Sequence, residues 1–289
     1  MVPIIVAVKV LQELGAIEYL AAPLGPVMAL VGLPPDLGLA WATAMLSNIY
    51  AGLIVFQALA AQAGPLSVAQ VTVLALLMLF AHNLLVEGQV TKRCGVSFLG
   101  QNVLRVLGGL GCAWLTHLAL NAGGLLSEPA VMLWLPPRPE ATLLGWALSE
   151  ARNLGYIFLV ILTLMGLMRL LNALGLTRIL EWLLWPFLKI MGISAAAATI
   201  TVIGMTMGLL YGGGLIIHEA RAGHIPPRDV FAAVSLMSLS HALIEDTLLL
   251  TLIGASPWGT LGARLLFSLL VVAALSRWAA GRARAEASA

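Results

Sequence analysis

Residues 204–216 read GMTMGLLYGGGLI, five glycines in thirteen otherwise largely apolar positions. Glycine at this density, concentrated at 208–214, breaks an α-helix rather than continuing it. Residues 44–56 read AMLSNIYAGLIVF, an apolar stretch interrupted in the same way by Ser47-Asn48 and Gly52. A break inside lipid leaves peptide groups without partners, which is tolerated only where the backbone is buried in protein or lines a watery cavity. Whether the segments around these breaks, 34–62 and 194–222, cross the membrane or turn back decides the fold.

That lipid is the relevant solvent follows from composition. Of 289 residues, 61% are hydrophobic and 10% charged, against about 45–50% and about 25% in soluble domains. Mean hydropathy is +1.00. A soluble globular protein is excluded. Fifteen Lys and Arg against thirteen Asp and Glu leave a net charge of +2, so no basic surface argues for nucleic acid. Cys94 and Cys112 are too few for a disulfide framework and read as buried small apolar residues. The first apolar run lacks a basic leader and a small-residue cleavage site and contains Lys9, so it is read as retained.

The chain repeats itself. Leu14 to Leu20 matches Leu174 to Leu180, Pro26 matches Pro186, Gly32 matches Gly192 and Gly52 matches Gly212, all offset by 160. His82 then matches His241, Glu87 matches Asp246 and Arg105 matches Arg264 at 159, as though one loop had lost a residue. Residues 1–120 form a first unit holding hairpin 34–62, and 151–280 a second holding hairpin 194–222. Between them lies a turn-rich connection, 121–150, and residues 281–289 form a tail. In the second unit 153–172 is long enough to span, while its counterpart 1–14 is shorter and either continues past Gly15 or lacks its start. Arg178, Glu181 and Lys189 among Trp and Leu mark an interfacial helix, and Trp182, Trp185, Trp258 and Trp278 an aromatic belt.

Cytoplasmic loops carry an excess of Lys and Arg. If the broken segments span, Lys92, Arg93, Arg169, Arg178 and Lys189 face Arg138, Arg221, Arg228, Arg277, Arg282 and Arg284, and no bias results. If they are re-entrant hairpins, all of these except Arg138 share one face. The hairpin arrangement is therefore expected. Three spans per unit is an odd number, so the units insert in opposite orientations. The predicted fold is an all-α integral membrane protein, an inverted repeat of about six transmembrane helices with two re-entrant hairpins and interfacial helices. A multi-pass protein of a bacterial-type inner (plasma) membrane is expected, with both termini and the tail cytoplasmic and 121–150 external.

Ionisable groups inside a bilayer mark pathways or sites. His82, Asn83 and Glu87 lie after the first hairpin, and Ser238, His241, Glu245 and Asp246 at the matching place after the second. On unbroken helices Asn83 and Glu87 share a face, as do His241 and Glu245, whereas His82 reaches Glu87 only through local unwinding. The hairpin tips add Ser47, Asn48 and Tyr50 in one unit and Tyr211, Gly212, Gly213 and Gly214 in the other. Together these form the expected substrate- or ion-binding set. The glycines have a competing role as a close helix-packing surface. Arg105 and Arg264 are read as structural partners or snorkelling residues. No Walker loop, nucleophile elbow or HExxH motif occurs, so no enzyme activity is expected.

Ser240-His241-Ala242-Leu243-Ile244-Glu245-Asp246-Thr247, with Leu248 to Gly254 after it, and the Gly208 to Gly214 stretch resemble the Gate, or nucleoside-recognition, domain family. The likeness extends to both halves, so the chain is similar to two fused Gate domains. Gate regions are related to parts of concentrative nucleoside transporters and bacterial ferrous-iron permeases, which implies transport with hairpins near the substrate. The leading expectation is a secondary-active transporter of a small polar or charged solute, nucleoside-like ones included, coupled to protons or sodium. The alternatives are a divalent-metal transporter for iron, manganese or zinc, with His82, Glu87, His241, Glu245 and Asp246 as ligands, and a non-transporting membrane binding or sensor protein. No cofactor is expected beyond a bound proton, Na+ or divalent metal. The expected partners are the lipid bilayer, a small-molecule or ion substrate and a second copy in a homodimer.

Overall fold

The computed structural model describes residues 2–60, 64–134 and 142–287. The helices run, in order, α1 (Val2–Glu13), α2 (Ile17–Ala21), α3 (Gly25–Leu30), α4 (Leu37–Leu46), α5 (Ile49–Ala60), α6 (Val68–Phe80), α7 (Leu84–Arg93) and α8 (Phe98–Gly123). After the connection come α9 (Leu143–Ala173), α10 (Leu176–Ile190), α11 (Ala195–Met207), α12 (Leu209–Arg221), α13 (Pro227–Ser240), α14 (Leu243–Thr251) and α15 (Pro257–Ala287). A 3-10 turn, Ala22–Leu24, joins α2 to α3. The chain is all-α among the described residues.

The second series repeats the first, with α10 in place of the α2–α3 pair, and the backbone repeats with it. Left-handed glycines recur at Gly15 and Gly175, Gly32 and Gly192, Gly64 and Gly223, and Gly95 and Gly254. The two non-glycine helix breaks, at Asn83 and Ala242, are likewise one repeat apart.

At 10–13 residues each, α4, α5, α11 and α12 are about 15–20 Å long, short of the roughly 30 Å hydrocarbon core. Each pair folds back on itself. A Cβ on Gly52 would lie 2.7 Å from Ala44 Cβ and 2.8 Å from the Ala40 carbonyl oxygen. One on Gly212 would lie 2.5 Å from Gly204 Cα. Residues 44 and 52, and 204 and 212, are equidistant from turns at 48 and 208, so each pair is an antiparallel hairpin. Gly208 supplies the second turn at φ +97°, a conformation that strains any residue with a Cβ.

Four helical segments are long and apolar enough to cross a membrane: Phe98–Gly123, Leu143–Ala173, Pro227–Thr251 and Pro257–Ala279. The α6–α7 pair makes a fifth if its 41° bend is taken within one span. The expected sixth, in the first run, is only the 12 residues of α1. Its C-terminal end is set by Gly15, where the chain turns.

The long helices α8 and α15 pack in opposite directions. Phe267 lies against Gly108 and Gly111, while Val271 and Leu275, further along α15, line one groove with Leu104 and Gly100, further back along α8. Equivalent helices running antiparallel are what an inverted duplication requires. On one side the connection after α8 straps the units together. Val68 and Ala69 N–H donate to the Glu128 and Leu126 carbonyls, Ala130 N–H to Leu66, and Leu133 and Trp134 N–H to Leu252.

Candidate functional site

Helix α6 stops at Phe80 and α13 at Ser240, and in both units the chain bends before the next helix. Asn83 (φ 50°) and Ala242 (φ 46°) are left-handed, at a cost of roughly 1–2 kcal/mol for a side-chain-bearing residue. Such strain is retained where the surroundings enforce it and clusters at working sites. One enforcing contact is visible: Asn83 N–H donates to the Ala44 carbonyl at 2.8 Å, tying the break to the first hairpin. The hairpins also abut the breaks directly. Gly52 is packed against Met78, and Gly204 and Gly212 against Met237.

The carbonyls freed where α6 and α13 end are taken up by arginines from the last helix of each unit. Arg105 Nε donates to the Phe80 carbonyl and Nη2 to the His82 carbonyl, both at 2.8 Å. Arg264 Nε donates to Leu239 at 2.8 Å, and its Nη2 crosses to Leu79 of the other unit at 3.0 Å. Both guanidiniums are buried. The two arginines thus perform one capping task in duplicate, serving orphan carbonyls that helix ends always leave.

The unwound breaks bring His82 and His241 together. Their Nε2 atoms are 3.1 Å apart and their ring centroids 5.0 Å apart. Each Nδ1 sits against a carbonyl oxygen four residues back, Met78 at 2.8 Å and Met237 at 3.0 Å. A carbonyl only accepts, so both Nδ1 atoms carry hydrogen and both Nε2 atoms of neutral rings would present bare lone pairs. Two lone pairs at that distance repel, and one proton between them converts the contact into an N–H···N bond. Glu87 is the adjacent counter-charge. Its Oε1 lies 3.4 Å from His241 Nε2 and 3.6 Å from His82 Nε2, and its Oε2 pairs with Arg105 Nη1 at 2.6 Å.

The second unit departs from this pattern. Asp246, the mate of Glu87, is one methylene shorter, and among the described residues no ion pair joins it to Arg264, the mate of Arg105. Asp246 Oδ2 and Arg264 Nη1 are buried without hydrogen-bond partners, as are Ser238 Oγ and Thr247 Oγ1. Donor atoms of His82, His241 and Asp246 lie within 4.8 Å of one another. The four acid and imidazole side chains are enclosed by protein, with exposures of 5% (His82), 5% (Glu87), 3% (His241) and 7% (Asp246).

Of the residues expected from sequence, His82, Glu87, His241 and Asp246 meet in this cluster. Asn83 supplies the break, and Ser238 lies buried one turn before His241. The expected His241–Glu245 face does not form. The left-handed residue shifts the register by one, so the acids five positions on, Glu87 and Asp246, face the histidines, and Glu245 is left half-buried within electrostatic range of Tyr50. At the first hairpin tip Asn48 is engaged locally, accepting from Ala51 N–H at 2.9 Å and donating to Ser47 Oγ at 3.3 Å. In the second, Tyr211 is exposed, Gly214 borders open space, and Gly212 and Gly213 pack against Gly204 and against Val90 and Cys94. These four residues were expected at the site; the glycines at 212 and 213 serve helix packing, because only a missing Cβ permits these approaches. What sequence reasoning underrated is the arginine pair, whose signal was its conserved spacing from each histidine, 23 residues in both units.

Residues 1–95 match the Gate family, described as nucleoside recognition. The match takes in the first hairpin, His82 and Glu87, and does not reach Ser240 to Thr247. An uncharacterized membrane protein of Bacillus subtilis (strain 168), YvoD, is 29% identical over 281 residues, covering 95% of this chain and 87% of that protein. No solved structure matches. With its long apolar helices, the chain is a multi-pass, all-α membrane protein that matches the Gate, or nucleoside-recognition, family over residues 1–95.

Proposed function

We propose that the protein is a secondary-active transporter that moves a small polar or charged solute, with a proton held between His82 and His241 as the coupling ion. The observation that carries this is the 3.1 Å Nε2–Nε2 contact between rings whose Nδ1 hydrogens are already committed. It accommodates one additional proton, with Glu87 as counter-charge. Buried ionisable groups at duplicated helix breaks are a recurring arrangement in carriers built from inverted repeats. The Gate match over residues 1–95 supports transport over catalysis. On this reading the chain lies in a plasma membrane with both termini cytoplasmic, an orientation that the Lys and Arg distribution supports.

The test is reconstitution into liposomes with uptake of a panel of nucleosides, amino acids and organic anions under an imposed proton or sodium gradient. Proton-driven uptake should be lost in His82→Ala and His241→Ala. No gradient-driven uptake of any panel member would overturn the reading, and sodium-driven uptake indifferent to both substitutions would overturn the coupling.

The His82, His241 and Asp246 donor set favours a second reading, a transporter of a divalent metal. Charge weighs against it. Arg105 and Arg264 already balance Glu87 and Asp246, so a divalent ion adds two uncompensated charges in a low-dielectric interior, whereas a proton adds one. Stoichiometric iron, manganese or zinc in the purified protein, removed by His241→Ala, would reverse that preference.

A further inference from the structure

The two repeats share a fold but not a disposition around the histidine pair. On the side held by the strap, Ser256 N–H donates to Thr72 Oγ1 at 2.9 Å. A Cβ on Gly259 would come within 2.7 Å of Thr72 Cγ2, so the start of α15 is closed against the start of α6. Transposed by one repeat, Thr72, Ser256 and Gly259 become Phe231, Ser97 and Gly100. The local structure is conserved by the transposition: Ser256 Oγ accepts from Gly259 N–H at 3.3 Å and Ser97 Oγ from Gly100 N–H at 3.1 Å, each capping its helix.

The packing is not conserved. Phe231, Ser97 and Gly100 all line a groove of about 1180 Å³ between α8, α13 and α15. The only atoms within 4 Å of a Cβ placed on Gly100 belong to its own neighbour Ser97. The groove also reaches Gln101, whose Nε2 donates to Ser235 Oγ at 2.8 Å, one turn of α8 before Arg105. Gln101 Oε1 is buried there without a hydrogen-bond partner. The rim lies next to Lys92, Arg93, Arg221 and Arg228 in sequence, on the side that the charge distribution places in the cytoplasm.

We infer that these two triads are the gates of alternating access: in a second state Phe231 closes onto Ser97 and Gly100 while Thr72 parts from Ser256 and Gly259. This rests on the transporter reading and adds to it the residues that open and shut. The tight seam shows a geometry that the repeat can adopt, and the groove shows its mate in the other geometry. Phe231 has no hydroxyl to accept from Ser97 N–H as Thr72 does from Ser256 N–H, so the second seam closes by packing of the ring on Gly100 alone. The buried histidine pair lies between the gates and stays covered by whichever is shut.

The test uses the full chain in proteoliposomes, with Cys94 and Cys112 replaced by Ala. Ser97→Cys should react with a maleimide at least tenfold faster than Ser256→Cys. Adding a Phe231→Cys bridge to Ser97→Cys should raise the labelling of Ser256→Cys, and bridging Thr72→Cys to Ser256→Cys should hold Ser97→Cys reactive. In the quadruple variant, individual molecules should carry one bridge or the other. Molecules with both bridges, or a Phe231–Ser97 bridge that leaves Ser256→Cys labelling unchanged, would overturn the gates. Spin labels at 97 and 231 give a second measurement if a bridge impairs folding, with two distance populations expected and a single one refuting. Reciprocal labelling without proton-driven uptake would overturn the coupling and leave the gates intact. Uptake through doubly bridged protein would overturn the gates and leave the carrier.

Discussion

Glu87→Gln and Asp246→Asn are the same chemical change at repeat-equivalent positions, and the structure gives them unequal consequences. Glu87 is paired to Arg105 at 2.6 Å with both side chains buried. Removing one partner of such a pair costs about 3–5 kcal/mol, because the other charge is left uncompensated. Arg105 keeps its bonds to the Phe80 and His82 carbonyls, which places the loss at the lower end, about 3 kcal/mol. At about 2–4 °C per kcal/mol for a chain near this size, Tm should fall by about 6–12 °C. Asp246 makes no direct ion pair among the described residues and Arg264 keeps its bonds to the Leu239 and Leu79 carbonyls, so neutralising Asp246 breaks no contact and Tm should fall by less than half as much. The assay is thermal unfolding of both variants and wild type in one detergent, followed by an environment-sensitive thiol dye or tryptophan fluorescence. An Asp246→Asn loss equal to that of Glu87→Gln would refute the asymmetry between the repeats.

Other consequences are as direct. Gly212→Ala should destabilise by about 1–3 kcal/mol through overpacking on Gly204, while Gly214→Ala, two residues on and bordering open space, should gain up to about 1 kcal/mol of helix propensity; melting temperatures of the pair decide. Ala242→Gly should be tolerated and Ala242→Val strongly destabilising, since the position is left-handed; the ratio of folded yields by size-exclusion chromatography checks it. Asn153→Leu should loosen the strap, because Asn153 accepts from Trp134 Nε1 at 3.0 Å and donates to Gln57 Oε1 at 3.4 Å. Limited proteolysis between 125 and 134 should then accelerate several-fold.

The hairpins were legible because glycine clusters in an apolar run have few physical outcomes, and the duplication because paired His, acid and Arg positions keep their spacing. The pairing within the cluster was not. Helical periodicity counted straight through Ala242, a residue that carries no turn signal, and so put Glu245 rather than Asp246 on the face of His241, although both acids were expected at the site. Only the backbone at φ 46° reveals the one-residue shift. The arginines were legible as structural partners but not as caps, for a related reason: they serve carbonyls exposed by those same breaks, and an unbroken helix would have none to offer. The glycines at 212 and 213 were legible both as tip residues and as a packing surface, and the choice between the two was not, since their neighbours Gly204, Val90 and Cys94 come from other helices or the far arm of the hairpin.

His82 and His241 sit where each half of the molecule meets its own duplicate, and such a position imposes a rule of its own. A lysine there would confront a lysine, and an aspartate an aspartate, each repelling its image. Imidazole escapes because a single hydrogen makes one ring the donor and its image the acceptor. Where bulk rather than charge is at stake, the halves have had to diverge: Phe267 lies against Gly108, its own counterpart, and two phenyl rings could not share that space. Self-encounter thus selects a residue able to play both parts, or else two residues that divide them.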